Sequence, residues 1–214
     1  DWPMKYVEKH QEPEAFTRWK ALANEDWQPT YEDLRGDTKA SVKGALIQEH
    51  GYICCYCERR LNEGDSHIEH FQPQSDPAVD PLDYGNLLCS CQNQIKKGEP
   101  RHCGNLKGDW FDSELLISPL DPDCENRFSF EGDGLIKPAE QHDRAARETI
   151  TRLGLDLPKL NGLRAGAIEP FLDDSLTHDE LSRFVSGYLT MGADDRFSEF
   201  WTTIKYLFGD YAAA

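Results

Sequence analysis

The sequence predicts an α+β protein, mostly helical, in which a small metal-organised core lies between two helical regions. Three observations predict it. Six of the seven cysteines, with three of the seven histidines, fall between positions 54 and 103. Apolar residues recur at helical spacing on both sides of that segment. Within it the periodicity gives way to short alternating stretches and turn signals, as expected where a metal, rather than a large core, holds a small domain together.

The elements follow in order. Residues 1–3 read as an expression remnant before a native start at Met4. Residues 4–51 form an N-terminal helical region: 13–23 carries Phe16, Trp19, Lys20 and Ala23 at helical spacing, and 38–50 follows Asp37 as N-cap and stops at Gly51. Residues 52–140 form the metal-bound core. There 66–71 reads as a strand ended by Pro73, 76–82 as a loop, and 128–130 and 135–136 as a hairpin around Glu131, Gly132, Asp133 and Gly134. Residues 141–214 form a C-terminal helical region. Its helices cover 143–153, 158 to about 172 with Pro158 in the first turn, a third opened by the Thr177–Glu180 capping-box pattern, and 198–208.

Composition narrows the functional classes. The 214 residues suffice for one large or two small domains. With 39 acidic against 23 basic residues, the net charge of −16 argues against holding nucleic acid through a general electrostatic field. A mean hydropathy of −0.69 and the lack of a run near the ~18–20 apolar residues of a spanning helix exclude an integral helical membrane protein. No secretory segment follows Met4, so the expected compartment is the cytoplasm. The charge is uneven: from Glu169 onward there are nine acidic and three basic residues, whereas 96–107 holds four basic and one acidic. A basic strip thus accompanies the cysteines, and the acidic region is either a solvated face or a surface for a partner.

An odd cysteine count without a signal peptide argues against a disulfide framework. Cys54 and Cys57 have the spacing with which a tight turn aims two thiolates at one zinc ion. Cys91 and Cys103 are chosen to complete a tetrahedral set, with Cys89 and His102 as substitutes; Cys55 and Cys124 read as packing. The chemistry centres on Glu69 and His70. The carboxylate is a hard ligand suited to Mg²⁺ or Mn²⁺, and the imidazole can accept a proton near neutral pH. Asn86 and Asn105 follow at intervals that could bring them to the same place, with Asn93 a rival to Asn105. His67 could join the metal but reads rather as a surface or supporting histidine, and His102 as one that meets phosphate or solvent.

The runs CCYCER at 54–59, HIEHFQPQ at 67–74, NLLCSCQ at 86–92 and HCGNLKGDW at 102–110 resemble the HNH nuclease subunit of the Septu anti-phage system, which also occurs with some retrons. MKYVEK at 4–9 and SPLDPDC at 118–124 are similar to that family too, so the likeness covers nearly the whole chain. The resemblance implies a zinc-stabilised ββα-metal core in which two strands and a helix grip one catalytic ion. His70 would activate water, Glu69 and Asn105 would hold the divalent ion, and Asn86 would tie loops together and orient His70. Cys54, Cys57, Cys91 and Cys103 would bind structural Zn²⁺. Gly104 departs from the commoner pattern, which puts the helix Asn or His directly after the last cysteine. The family also implies an ABC-type ATPase partner, no membrane, and a DNA substrate, with RNA or tRNA as the other candidate. The rival reading is a zinc-stabilised interaction module without catalysis.

Overall fold

A computed structural model describes residues 4–212, so the remnant expected at residues 1–3 lies outside the described residues. The architecture is α+β. Helices α1 (Glu14–Lys20) and α2 (Gly36–Glu49) precede an antiparallel hairpin of β1 (Ser66–His70) and β2 (Leu87–Cys91), followed by the single turn α3 (Gly104–Lys107). A second two-stranded sheet pairs β3 (Phe128–Phe130) with β4 (Ile136–Pro138). Helices α4 (Arg144–Leu153), α5 (Pro158–Ile168), α6 (His178–Leu189) and α7 (Trp201–Phe208) complete the chain.

Local chemistry accounts for most of these boundaries. Helix α2 buries Val42, Leu46 and Ile47 as one stripe and stops at Gly51, whose φ of +61° lies in the left-handed region. It begins one residue before the expected cap Asp37, at Gly36. The Asp143 carboxylate caps α4 by accepting from the Ala146 amide. Thr177 and Glu180 make both bonds of a capping box at α6.

Two helices end or begin elsewhere than expected. The stretch from Pro158 to Leu172 divides into α5 and a 3₁₀ turn at Glu169–Leu172, because Pro170 has no amide hydrogen to continue the α ladder. The last helix starts at Trp201 rather than 198: the Phe197 and Phe200 amides donate to the carbonyls of Gly51 and Glu58, so tertiary bonds hold that approach bent. Strand β4 likewise starts at Ile136, one residue after the expected Leu135.

In the first hairpin Ser66 faces Cys91 at one end and His70 faces Leu87 at the other. All five residues of β2 are buried. One continuous core runs from Met4 through Phe16, Leu46, the cysteines and Phe128 to Leu160, and a smaller one gathers Ile168, Phe171, Val185, Ile204 and Phe208. The hairpin therefore sits inside the main core with its two ends held against different neighbours. Among the described residues, no helix is long and apolar enough to cross a membrane.

Candidate active site and cysteine cluster

The Cys54 amide donates to the Arg59 carbonyl and the Glu58 amide to the Cys54 carbonyl, closing a tight turn in which Glu58 takes a positive φ. That turn brings the Cys54 and Cys57 thiols together. Cys91 arrives at the end of β2. Cys103, also at positive φ, is held by its amide's bond to the Leu153 carbonyl in α4. The four sulfurs lie within 4.8 Å of one another, all buried. Thiolates about 2.3 Å from a tetrahedral zinc ion stand about 3.8 Å apart, and the Cys57 and Cys91 sulfurs are 3.6 Å apart.

This buried four-sulfur set fits zinc. Burial alone would raise the Cys54 thiol, yet hydrogen bonds with Cys103, Cys55, Cys57 and Cys91 bring it well below the ordinary range. Burial and the neighbouring thiols push Cys103 up. None of the seven cysteines forms a disulfide. Cys89 lies outside the cluster, its amide bonded to His50 Nε2. Cys124 is buried and bonded to the Met4 carbonyl.

At the other end of the hairpin, Glu69 divides its carboxylate between two environments. Oε1 accepts from Tyr56 Oη at 3.1 Å and pairs with Lys107 Nζ at 3.1 Å. Burial, and then the Glu69 charge, push the Tyr56 phenol far up, so it remains a donor. The Lys107 side chain is fully buried and also donates to the carbonyls of His70 and Gly108. Oε2 stays clear of these partners and lies 3.6 Å from His67 Nε2.

His70 is divided in the same way. Its Nε2 is 2.9 Å from the Pro81 carbonyl, which can only accept, so that nitrogen carries the hydrogen and Nδ1 keeps a lone pair. The ring packs edge-on against Tyr31 with centroids 4.6 Å apart, and burial lowers its pKa below the ordinary value. Glu69 and His70 open on a cleft of about 220 Å³, lined also by His67, Gly104, Gly108 and Asp109. A larger cleft of about 560 Å³ beside α2 contains none of the candidate residues.

Asn86 clasps the loop after β1: Oδ1 accepts from the Gln72 amide at 2.9 Å and Nδ2 donates to the Gln72 carbonyl at 2.8 Å. Both bonds hold the residues that follow His70. Asn105 is anchored at the end of β2. Its amide donates to the Gln92 carbonyl, fastening α3 to the end of β2, and it is not among the residues lining the cleft. The rival Asn93 is exposed, with its main-chain amide on Asp65.

Two further expectations are corrected. His102 meets neither phosphate nor solvent; it is fully buried, with Nδ1 3.1 Å from the Cys103 sulfur. Lys107 does not belong to an outward basic strip, because Glu69 draws it inside; Lys96, Lys97 and Arg101 remain exposed. Tyr56, Lys107 and Tyr31 are the site residues that sequence reasoning missed. Only Tyr56, between two candidate ligands, carried a positional signal.

No protein-family model matches the chain. Over 144 residues it is 32% identical to a Vibrio cholerae (serotype O1 biovar El Tor) protein whose name assigns it to retron Vc95 and to the HNH endonucleases. That match covers 64% of this chain and 67% of the relative. The chain belongs to the HNH endonuclease family. An Escherichia coli relative, named likewise for retron Ec83, is 27% identical over 203 residues, covering 75% of this chain and 78% of its own. As an HNH endonuclease the protein is a nuclease hydrolase, and both of these relatives are named for retrons.

Proposed function

We propose that this HNH endonuclease is the divalent-metal-dependent nuclease subunit of a Septu-type anti-phage complex, cutting DNA, with RNA or tRNA as the alternative substrate. The observation that carries the reading is that Glu69 Oε2 and His70 share one open cleft while the other polar atom of each side chain is tied to protein. In this reading β1, β2 and α3 form the ββα-metal unit. Cys54, Cys57, Cys91 and Cys103 hold structural Zn²⁺, which a closed set of four thiolates suits.

His70 Nδ1 takes the proton of the attacking water. Positioned general bases of this kind contribute about 10²–10⁴-fold. The Pro81 carbonyl holds the tautomer that leaves Nδ1 free, and Asn86 holds the loop beside it. Glu69 Oε2 contributes to holding a Mg²⁺ or Mn²⁺ ion, which supplies charge stabilisation for the phosphate and the leaving oxygen. Asn105 fastens α3 to β2 and so keeps Gly104 facing Glu69.

An ABC-type ATPase would supply the nucleic-acid affinity that a chain of net charge −16 lacks. The acidic C-terminal region, with Leu172 and Phe184 exposed, is the proposed docking surface. The deciding experiment reconstitutes the protein with an ABC-type ATPase of the proposed complex and assays DNA and tRNA with Mg²⁺ or Mn²⁺. His70→Ala is expected to lower cleavage by at least ~10²-fold with zinc content and fold retained. Cleavage at the wild-type rate would overturn the assignment. A zinc-loaded complex that cuts neither substrate with either metal would favour an interaction module.

A further inference from the structure

We propose that His67 is a second protein ligand of the divalent ion, paired with Glu69 across a cradle left open by Gly104. The resulting nitrogen–oxygen site prefers a first-row transition ion such as Mn²⁺ to Mg²⁺. The inference rests on the reading of Glu69 as a metal-holding carboxylate.

Residues 67 and 69 lie two apart on β1, so their side chains leave the strand on the same face. His67 Nε2 and Glu69 Oε2 stand 3.6 Å apart. Neighbouring ligands at about 2.0–2.2 Å from one ion lie about 3.0–3.5 Å apart, so a small closing movement lets both reach it. Tyr56 and Lys107 occupy Oε1, which leaves Oε2 as the oxygen on this side. His67 Nδ1 is buried without a hydrogen-bond partner among the described residues, so Nε2 is the ring's polar outlet, and it points at the same space.

The opposite wall is α3. A Cβ on Gly104 would stand 2.7 Å from His67 Nε2 and closer still to Glu69 Oε2, so any side chain there would fill the cradle. The glycine of α3 thus faces both a histidine and a carboxylate on β1. Neither Asn105 nor Asn93 lines this cleft; the side-chain amide among its lining residues is that of Gln74. Affinity for a site with an imidazole nitrogen rises along the first row from Mn²⁺ through Co²⁺ to Ni²⁺, whereas Mg²⁺ favours an all-oxygen shell.

The test uses the full-length zinc-loaded protein without nucleic acid and measures Mn²⁺ and Mg²⁺ binding by titration calorimetry, with free Mn²⁺ followed by electron paramagnetic resonance. Wild type is expected to bind Mn²⁺ at least ~10-fold tighter than Mg²⁺. Loss of a group one shell beyond a metal already costs about 10–100-fold in affinity, so His67→Ala should weaken Mn²⁺ by at least that while changing Mg²⁺ little. His67→Asp should reverse the preference, and Gly104→Ala should weaken both ions. Zinc stoichiometry and circular dichroism certify that each variant is folded. If His67→Ala binds Mn²⁺ as wild type does while Glu69→Gln does not, the inference is overturned and the reading of Glu69 stands. If Glu69→Gln also binds normally, or wild type binds no Mn²⁺ at millimolar concentration, both fall.

Discussion

The cysteine cluster and the Glu69–His70 cleft occupy opposite ends of the same five-residue ladder, one where Cys91 faces Ser66 and the other where Leu87 faces His70. At the first end four sulfurs point at one another from three separate segments, and each is buried. At the second end each side chain is used by halves: Glu69 gives Oε1 to Lys107 and Tyr56 and keeps Oε2, and His70 gives Nε2 to Pro81 and keeps Nδ1. A closed set can only hold an ion and the chain around it, whereas a half-used set is rigid and still has atoms for substrate. The hairpin couples the two, since the strand that ends in Cys91 is paired along its length with the strand carrying Glu69 and His70.

The contrast breaks first at the cysteines. Structural zinc contributes about 10–16 kcal/mol in small zinc domains, comparable with the whole stability of a typical domain. Cys103→Ser, or prolonged EDTA, is therefore expected to abolish cooperative unfolding in this region, seen as loss of zinc by mass spectrometry and of the thermal transition by circular dichroism. A Cys103→Ser protein that melts within a few degrees of wild type would make the cluster a set of packed thiols.

The next largest effect belongs to Lys107. Removing one member of a buried ion pair leaves the other uncompensated, at a cost of about 3–5 kcal/mol. Lys107→Met should show a loss of that size in urea denaturation, because the buried Glu69 carboxylate would lose its ammonium partner. A loss under ~1 kcal/mol would mean that Glu69 already meets water on that side.

Asn86→Ala removes both bonds to Gln72, each worth about 0.5–1.5 kcal/mol. The loop after β1 should loosen, with hydrogen exchange rising at Phe71 and Gln72 and cleavage falling further than stability. Equal exchange in variant and wild type would remove Asn86 from the positioning of His70. The smallest effect is expected far from both sites. Asp143 caps α4 and pairs with Arg127, so Asp143→Ala should cost about 1–2 kcal/mol and leave cleavage unchanged. A fall in cleavage without a fall in folded fraction would link the C-terminal helices to the cleft.

Much was legible in the sequence because its signals are local. Asp143 and Gly154 mark the ends of α4, Thr177 and Glu180 start α6, and the Cys54–Cys57 spacing makes a turn; each acts within a few residues. The hydrophobic periods and the clustering of the cysteines likewise pointed to helices around a cysteine-rich centre. Only the tertiary structure decided which distant groups meet. Cys103 reaches Cys54, Cys57 and Cys91 because Leu153 of α4 accepts its amide bond. Lys107 turns inward because Glu69 waits behind it, and the Asn105 amide donates to the Gln92 carbonyl. The start of α7 is set by Gly51 and Glu58, well over a hundred residues away in the chain. Periodicity and capping arise from a residue and its near neighbours, so sequence alone determines them. The direction of a buried polar side chain is determined by whichever partner satisfies it, and here those partners come from other segments of the fold.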